Sequence, residues 1–449
     1  MTSAKLDISR GAEGLVDYAK SLDCIHCGLC LRTCPTYTLT GVESSSPRGR
    51  IHLMRSVAEG RLDADEAFAD EMDHCLVCRH CESVCPAGVE FGSMMEFTRD
   101  GLLQSNTGNW LGRVMRWTGF RVVLRRRWAL NLVGIGLRAA QITGLLGLVG
   151  RGLGDRGKAM MALPTMPPWR KRRRLPAMSS AQGPRVAQVS MLTGCVMPTW
   201  LGRVNRSTAH ALTCAGCDVA TAPDHVCCGA LHAHNGELDS ARELARGTIA
   251  AFDGLRNDAG APLPVIVNSA GCGAHMREYG ALLASDPKWK SRAEAFADRV
   301  RDFSEFLARG EAGERLKNRL NNQPAFIALG KVAFDDPCHL CHGQQIREQP
   351  RELLSAIPGL QQVELEESES CCGSAGIYSV LRPKESMSIL ATKLEQLERS
   401  GADTLVTANP GCQLQWEGGL RMAQSKTRVL HVAEVVSRAL SQQGQEEEG

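Results

Sequence analysis

The 449-residue chain has little that would let it work an organic cofactor by itself. It carries no P-loop and no nicotinamide or flavin signature. Its G-x-G-x-x-G match, "GLGDRG" from Gly152 to Gly157, follows no β-rich run and opens no clear helix, so it reads as a glycine-rich turn. Long apolar runs are also missing. The least charged stretch, Leu130 to Val149, is broken by Asn131, Arg138, Gln141 and several glycines, whereas a spanning helix needs about 20 strongly apolar residues. The opening "MTSAKLDISRGAEG" lacks the basic and apolar regions of a secretory leader, which predicts a cytoplasmic chain with reduced thiols and argues against disulfides. Acidic residues are nearly absent from Leu111 to Arg185, where Asp155 stands alone. No recognition module accompanies these basic and aromatic residues, so no nucleic-acid partner is expected.

Cysteine, by contrast, is abundant: there are 19, in a chain that is 43% hydrophobic and 22% charged with a net charge of +3. That composition suits a soluble protein of two to four domains. "CIHCGLCLRTCP", Cys24 to Pro35, and "CLVCRHCESVCP", Cys75 to Pro86, repeat one C-x2-C-x2-C-x3-C-P spacing. Structural zinc usually draws two ligands from each of two separated knuckles; three thiols at i, i+3 and i+6 with a fourth before proline instead match bacterial-type ferredoxins. In that pattern the fourth cysteine serves the other cluster of a pair. The expected ligand sets are therefore Cys24, Cys27, Cys30 and Cys85 for one 4Fe-4S cluster, and Cys75, Cys78, Cys81 and Cys34 for the second. His26 and His80, inside the runs, are expected to neighbour the clusters rather than bind iron.

Between the runs, Arg50 to Glu59 and Ala64 to Met72 have helical spacing, so residues 1–100 are expected to form a helical two-cluster ferredoxin domain. Residues 101–183 are expected to be a basic helical connector and linker. Arg125, Arg126 and Arg127 beside Trp128, with Trp110 and Trp117 nearby, make this the stretch best suited to peripheral contact with the inner face of the cytoplasmic membrane. A connector lying on its own protein is the competing expectation.

Beyond residue 185 the cysteines follow a repeated order. Cys195, then Cys227 and Cys228 in "HVCCGA", then Cys272 in "SAGCGAH" are echoed by Cys338, by Cys371 and Cys372 in "ESCCGSAG", and by Cys412 in "NPGCQ". This is a duplication. Each half alternates strand-like and helix-like segments, and in a parallel sheet the loops after the strands lie on one edge. Four thiols per half would converge there, with Gly229 and Gly373 permitting the turn that aims each adjacent pair. These eight residues are candidates for a further iron-sulfur centre. The predicted fold class is α+β and multidomain: the helical ferredoxin domain, then a duplicated α/β cysteine-rich domain at 184–330 and 331–449, the latter ending in an acidic tail. Cys214, Cys217 and Cys341 read as packing, with His339 and His342 as weak ligand candidates.

The paired runs followed by two Cys-Cys-Gly halves resemble the cysteine-rich CCG domain family of heterodisulfide reductases, anaerobic glycerol-3-phosphate dehydrogenases and lactate-utilisation proteins. More narrowly, "CIHCGLCLRTCPTYTLTGVESSSPRGRIHLMRSVAEG", "SAGCGAHMREYG" and "CCGSAGIYSVLRP" resemble the iron-sulfur subunits of glycolate oxidase. That resemblance implies an electron-transfer subunit of an oxidoreductase and flavin-binding partner subunits that carry FAD and oxidise glycolate to glyoxylate. It also implies a quinone or other electron acceptor and no catalytic residue in this chain. Service to a glycerol-3-phosphate or lactate dehydrogenase, or disulfide chemistry at the CCG halves, are the alternatives. Heterodisulfide-type domains close with C-x2-C, but Ser269 and Asn409 stand where the first of those thiols would be, which counts against the last.

Overall fold

The computed structural model describes residues 14–105, 110–147, 163, 165–168, 172, 174–222 and 226–441. The Gly152 to Gly157 turn and the acidic tail lie outside them.

The amino-terminal module is helical. After the first cysteine run come α1 (Pro35–Thr40), α2 (Pro47–Ala58) and α3 (Glu66–Asp73); α4 (Phe91–Gln104) follows the second. Proline at the first helical position starts α1 and α2, where a missing N–H costs nothing. Ser46 caps α2 by accepting from the Gly49 amide at 3.0 Å, and Asp65 caps α3 through the Phe68 amide at 2.9 Å. The apolar faces of α2, α3 and α4 bury Ile51, Met54, Phe68, Met72, Met94 and Met95 in one small core.

The connector forms α5 (Trp110–Trp117), a wider helical turn, and α6 (Arg127–Ile142). No helix among the described residues is long and apolar enough to cross a membrane. Part of the basic surface is used internally: Arg116 pairs with Glu237 at 3.0 Å and Arg125 with Glu243 at 2.5 Å. Arg125 therefore ties the connector to its own protein, in the manner of the competing expectation. Trp110, Trp117 and Trp128 remain exposed, as do Leu132, Val133 and Ile135 of α6.

Each cysteine-rich half is a parallel sheet with helices around it. The first comprises β1 (Met178–Ser179), β2 (Ala187–Met191), α7 (Gly202–Cys214), β3 (Cys217–Thr221), α8 (Leu238–Asp253), β4 (Val265–Val267), α9 (Ala270–Arg277) and β5 (Val300–Asp302). After α10 (Gly310–Asn321) the second half runs β6 (Lys331–Phe334), α11 (Glu348–Ser355), β7 (Gln361–Val363), α12 (Pro383–Ser400), β8 (Thr404–Thr407), α13 (Pro410–Met422), β9 (Arg428–His431) and α14 (Val432–Leu440). The sheet orders are β1-β3-β2-β4-β5 and β7-β6-β8-β9. Leaving out β1, both follow one topology, with β2, β3, β4 and β5 matching β6, β7, β8 and β9, so the duplication extends to strand order. The antiparallel strand β1 comes from a stretch that reads as linker in the sequence; two residues without apolar alternation give no strand signal.

The halves share a core. Val189, Leu212 and Val219 of the first belong to the same buried cluster as Val332, Leu353 and Val435 of the second. Arg203 on α7 crosses the seam to Glu417 and Glu434 at 2.7 and 2.8 Å. The ferredoxin module is fastened to both halves. Arg99 donates to the His234 carbonyl at 2.6 Å, Arg79 pairs with Glu278, and Ser83 Oγ lies 3.0 Å from His342 Nδ1.

Candidate iron-sulfur centres

The two ferredoxin runs have the same backbone shape. In the first, His26 and Gly28 take positive φ (55° and 86°); in the second, Val77 and Arg79 do (52° and 64°). These are equivalent positions, two and four residues after each leading cysteine. Left-handed residues there curl the loop so that successive thiols turn toward one side. Val77 is β-branched, a type that adopts this conformation only under constraint.

Cys34, Cys75, Cys78 and Cys81 together line one small cavity, with Arg50, Arg79 and Phe91 completing the wall. Cys34 comes from the first run and the other three from the second. Burial pushes the Cys75 and Cys81 thiols up, because a lone thiolate is costly in an apolar site. Four thiols on one wall are the donor set a 4Fe-4S cluster takes, and nearby cations offset its negative charge. Arg50 is fully buried; its guanidinium donates to the Ser45 carbonyl at 2.7 Å and to Thr36 Oγ1 at 3.1 Å. Arg99 donates to the Met72 and Cys75 carbonyls at 2.7 and 2.5 Å.

The other set is shallower. Cys24, Cys30 and Cys85 are half-buried against the same module core, and Cys27 is exposed. Arg55 braces this loop through the Cys24 carbonyl at 3.1 Å and His26 Nε2 at 3.1 Å. Leu22, Ile25 and Leu29 surround it as exposed apolar side chains. His80 stacks on His342 with ring centroids 4.0 Å apart, and neither histidine lines the four-thiol cavity.

In the cysteine-rich halves the thiols follow the strands β2, β3 and β4, and β6, β7 and β8. The strand order reverses at this edge, where open α/β sheets bind ligands. Within the first half hydrogen bonds run Cys195 to Cys227 to Cys228 to Cys272, the last pair at 3.1 Å. In the second they run Cys338 to Cys371 to Cys372 to Cys412. The bonds received from neighbouring thiols pull Cys227 and Cys372 well below the ordinary thiol range. Gly229 and Gly373 sit at φ 88° and 83°. A Cβ at Gly373 would come within 2.6 Å of the Ser386 carbonyl, and one at Gly229 within 3.2 Å of the equivalent Ala241 carbonyl. Each glycine therefore permits both the turn and the close approach of the following helix.

Ser269 and Asn409, at the place of the closing thiols, keep polar contact with the last cysteine: Asn409 Nδ2 lies 3.3 Å from Cys412 Sγ, and Ser269 hydrogen-bonds Cys272. The second half also holds a buried ion pair, Lys393 to Asp335 at 2.6 Å, beside Cys372 and Cys412. Cys214, Cys217 and Cys341 are fully buried in packing positions. His342 is occupied by Ser83 and the Glu369 carbonyl, and His339 Nε2 donates to the Val77 carbonyl at 2.9 Å. Sequence reasoning missed Arg50, Arg99 and Lys393, since a buried cation has the same local pattern as a solvated one.

This arrangement defines an iron-sulfur electron-transfer protein with two ferredoxin-type runs joined to a duplicated thiol-bearing α/β unit. Family models agree: a 4Fe-4S dicluster domain matches residues 20–89, and a cysteine-rich domain matches residues 189–277 and again 332–417. The chain is 38% identical to the probable glycolate oxidase iron-sulfur subunit of Bacillus subtilis, over 94% of this chain and 95% of that one. It is 32% identical to the glycolate oxidase iron-sulfur subunit of Escherichia coli, over 94% of each. It is also 28% identical to lactate utilization protein A of Bacillus subtilis, over 56% of this chain and 99% of that one. The chain belongs to the family of glycolate oxidase iron-sulfur subunits.

Proposed function

We propose that this chain is the electron-transfer subunit of a glycolate-oxidising complex, accepting electrons from flavoprotein subunits that convert glycolate to glyoxylate and passing them to a quinone. The observation that carries the reading is the single cavity lined by Cys34 of one run and Cys75, Cys78 and Cys81 of the other. These four are assigned to the inner cluster, and Cys24, Cys27, Cys30 and Cys85 to the outer one. When bound, the clusters supply one-electron steps with little reorganisation.

The protein's own part is to set exposure and charge. The half-exposed outer set, ringed by Leu22, Ile25 and Leu29, suits electron entry from the flavoprotein, and the buried inner set with Arg50 and Arg99 suits passage inward. No residue is required as general acid or base for glycolate oxidation itself. Lactate is the second substrate to consider, but the lactate utilization relative accounts for only 56% of this chain, so glycolate is favoured. Peripheral membrane contact through the exposed Trp110, Trp117 and Trp128 belongs to the same proposal.

Anaerobically purified protein should contain about eight irons in its ferredoxin module. Visible absorption should be broad and bleached by dithionite. Cys34→Ser should remove the paramagnetic signal of the inner cluster and leave the outer one. Zinc as the dominant metal, or loss confined to the outer signal, contradicts the assignment.

A further inference from the structure

Because the two cysteine-rich halves are copies, a position in one can be compared with its counterpart in the other. The Asp335 amide donates to the Val406 carbonyl at 2.8 Å, and the Leu192 amide to the Ile266 carbonyl at 3.0 Å. Asp335 and Leu192 thus end matching strands, each three residues before the leading cysteine of its half. On the helix after each Cys-Cys-Gly turn, the Ser386 and Ala241 carbonyls face Gly373 and Gly229, and the residues seven further on are Lys393 and Thr248. Thr248 Oγ1 donates to the Cys227 carbonyl at 3.1 Å. Lys393 Nζ donates to the Ser368 and Ser370 carbonyls, both at 2.9 Å, just ahead of Cys371. The second half therefore has aspartate and lysine where the first has leucine and threonine.

We propose that Lys393 is the counter-charge and positioning residue of an iron-sulfur centre held by Cys338, Cys371, Cys372 and Cys412, and that it makes this site unlike its copy in the first half. The inference rests on the electron-transfer reading above and assigns a residue to it.

The donors suit such a centre. The four thiols are hydrogen-bonded in series, and Cys371, Cys372 and Cys412 are buried. Four thiolates are the donor set of a 4Fe-4S cluster, which brings negative charge when bound. Away from water that charge needs a partner.

Lys393 is placed to be that partner. Its side chain is 1% exposed, and that of Asp335, 2.6 Å away, is 2% exposed. Burial works against the ammonium, but Asp335, Cys372 and Cys412 outweigh it and hold Lys393 above the ordinary lysine range, so it stays charged. A buried ion pair is weak evidence of a role in stability, since packed apolar residues of similar size do as well or better. The first half makes the point within the same chain, because its fold closes around leucine and threonine. Packing thus gives no reason for the charge, whereas the thiols do.

The partners of Lys393 also span the site. Asp335 follows β6, which leads to Cys338, and Ser368 and Ser370 lead into the adjacent cysteine pair. One ammonium ties the strand that delivers Cys338 to the turn that delivers Cys371 and Cys372.

The test is a dithionite redox titration of the anaerobically purified chain, followed by electron paramagnetic resonance with iron analysis. Wild type should hold at least about four irons beyond the eight of the ferredoxin module. Lys393→Met removes a positive charge and should lower the midpoint of the signal that Cys372→Ala abolishes. Asp335→Asn removes a negative charge and should raise it. The outer ferredoxin signal should stay in place in both. Lys393→Thr combined with Asp335→Leu copies the first half, so it should fold, keep its iron and lower the same midpoint. Iron limited to the eight in wild type, unmoved midpoints, or shifts of one sign in Lys393→Met and Asp335→Asn would overturn the assignment. If glycolate and the flavoprotein reduce no cluster that dithionite reduces, the electron-transfer reading falls instead and Lys393 keeps its role.

Discussion

The thiol of Cys78, in the second ferredoxin run, is hydrogen-bonded to the thiol of Cys371 in the second cysteine-rich half. The two belong to one buried cluster with Leu76, Tyr378 and Ile389. In the first half the partners of Cys227 are Cys195, Cys228 and His232, all within that half. The duplicated halves are therefore unequal: the inner ferredoxin site abuts the second one.

That contact predicts a selective effect of Cys371→Ala. Removing a group hydrogen-bonded to a cluster thiolate changes the potential of that cluster. The inner cluster's midpoint should move while the outer one stays within error, in a redox titration followed by electron paramagnetic resonance. Equal shifts in both would deny the asymmetry.

Arg50 should tune the same site through its charge. A unit charge about 10 Å from the cluster, at an effective dielectric of about 20, is worth roughly 1.7 kcal/mol, or about 70 mV for one electron. Arg50→Gln should lower the inner midpoint by an amount of that order. An unchanged midpoint in protein with full iron content would remove Arg50 from the account.

The two Cys-Cys-Gly turns should differ in tolerance. Gly373→Ala brings a Cβ to 2.6 Å from the Ser386 carbonyl, whereas Gly229→Ala leaves 3.2 Å to the Ala241 carbonyl. Both pay about 1 kcal/mol or more for positive φ, and Gly373→Ala adds a backbone clash. Thermal unfolding should therefore rank Gly373→Ala as the less stable variant. The reverse order would mean that the second turn relaxes freely.

For the membrane surface, Trp110, Trp117 and Trp128 changed together to serine should reduce co-sedimentation with anionic vesicles. Arg125→Glu should instead place two carboxylates together at Glu243 and loosen the connector, seen as faster proteolysis between α5 and α6. Full vesicle binding by the triple variant would assign the aromatic surface to a protein partner.

The expectations drawn from the sequence were those with a local signal. Eight ferredoxin cysteines lie in two short runs whose spacing suggested the ligands, and the alternation of strand-like and helix-like segments in each half suggested the parallel sheets. What stayed hidden depends on distant partners. Arg50 is buried because the Glu71 carbonyl, 21 residues away, accepts from it at 2.8 Å. Glu96 meets His234 across 138 residues, and Arg125 meets Glu243 across 118. None of these pairings leaves a mark in local periodicity, and each changes what the residue does.

The most direct test of electron flow is freeze-quench electron paramagnetic resonance of the anaerobic complex with its flavoprotein subunits after mixing with glycolate. The account predicts that the outer cluster, held by Cys24, Cys27, Cys30 and Cys85, is reduced first and the inner one after it. In Cys34→Ser, electrons should reach the outer cluster and stop. Reduction of the inner cluster while the outer remains oxidised, or unimpaired quinone reduction by Cys34→Ser lacking the inner signal, would contradict it.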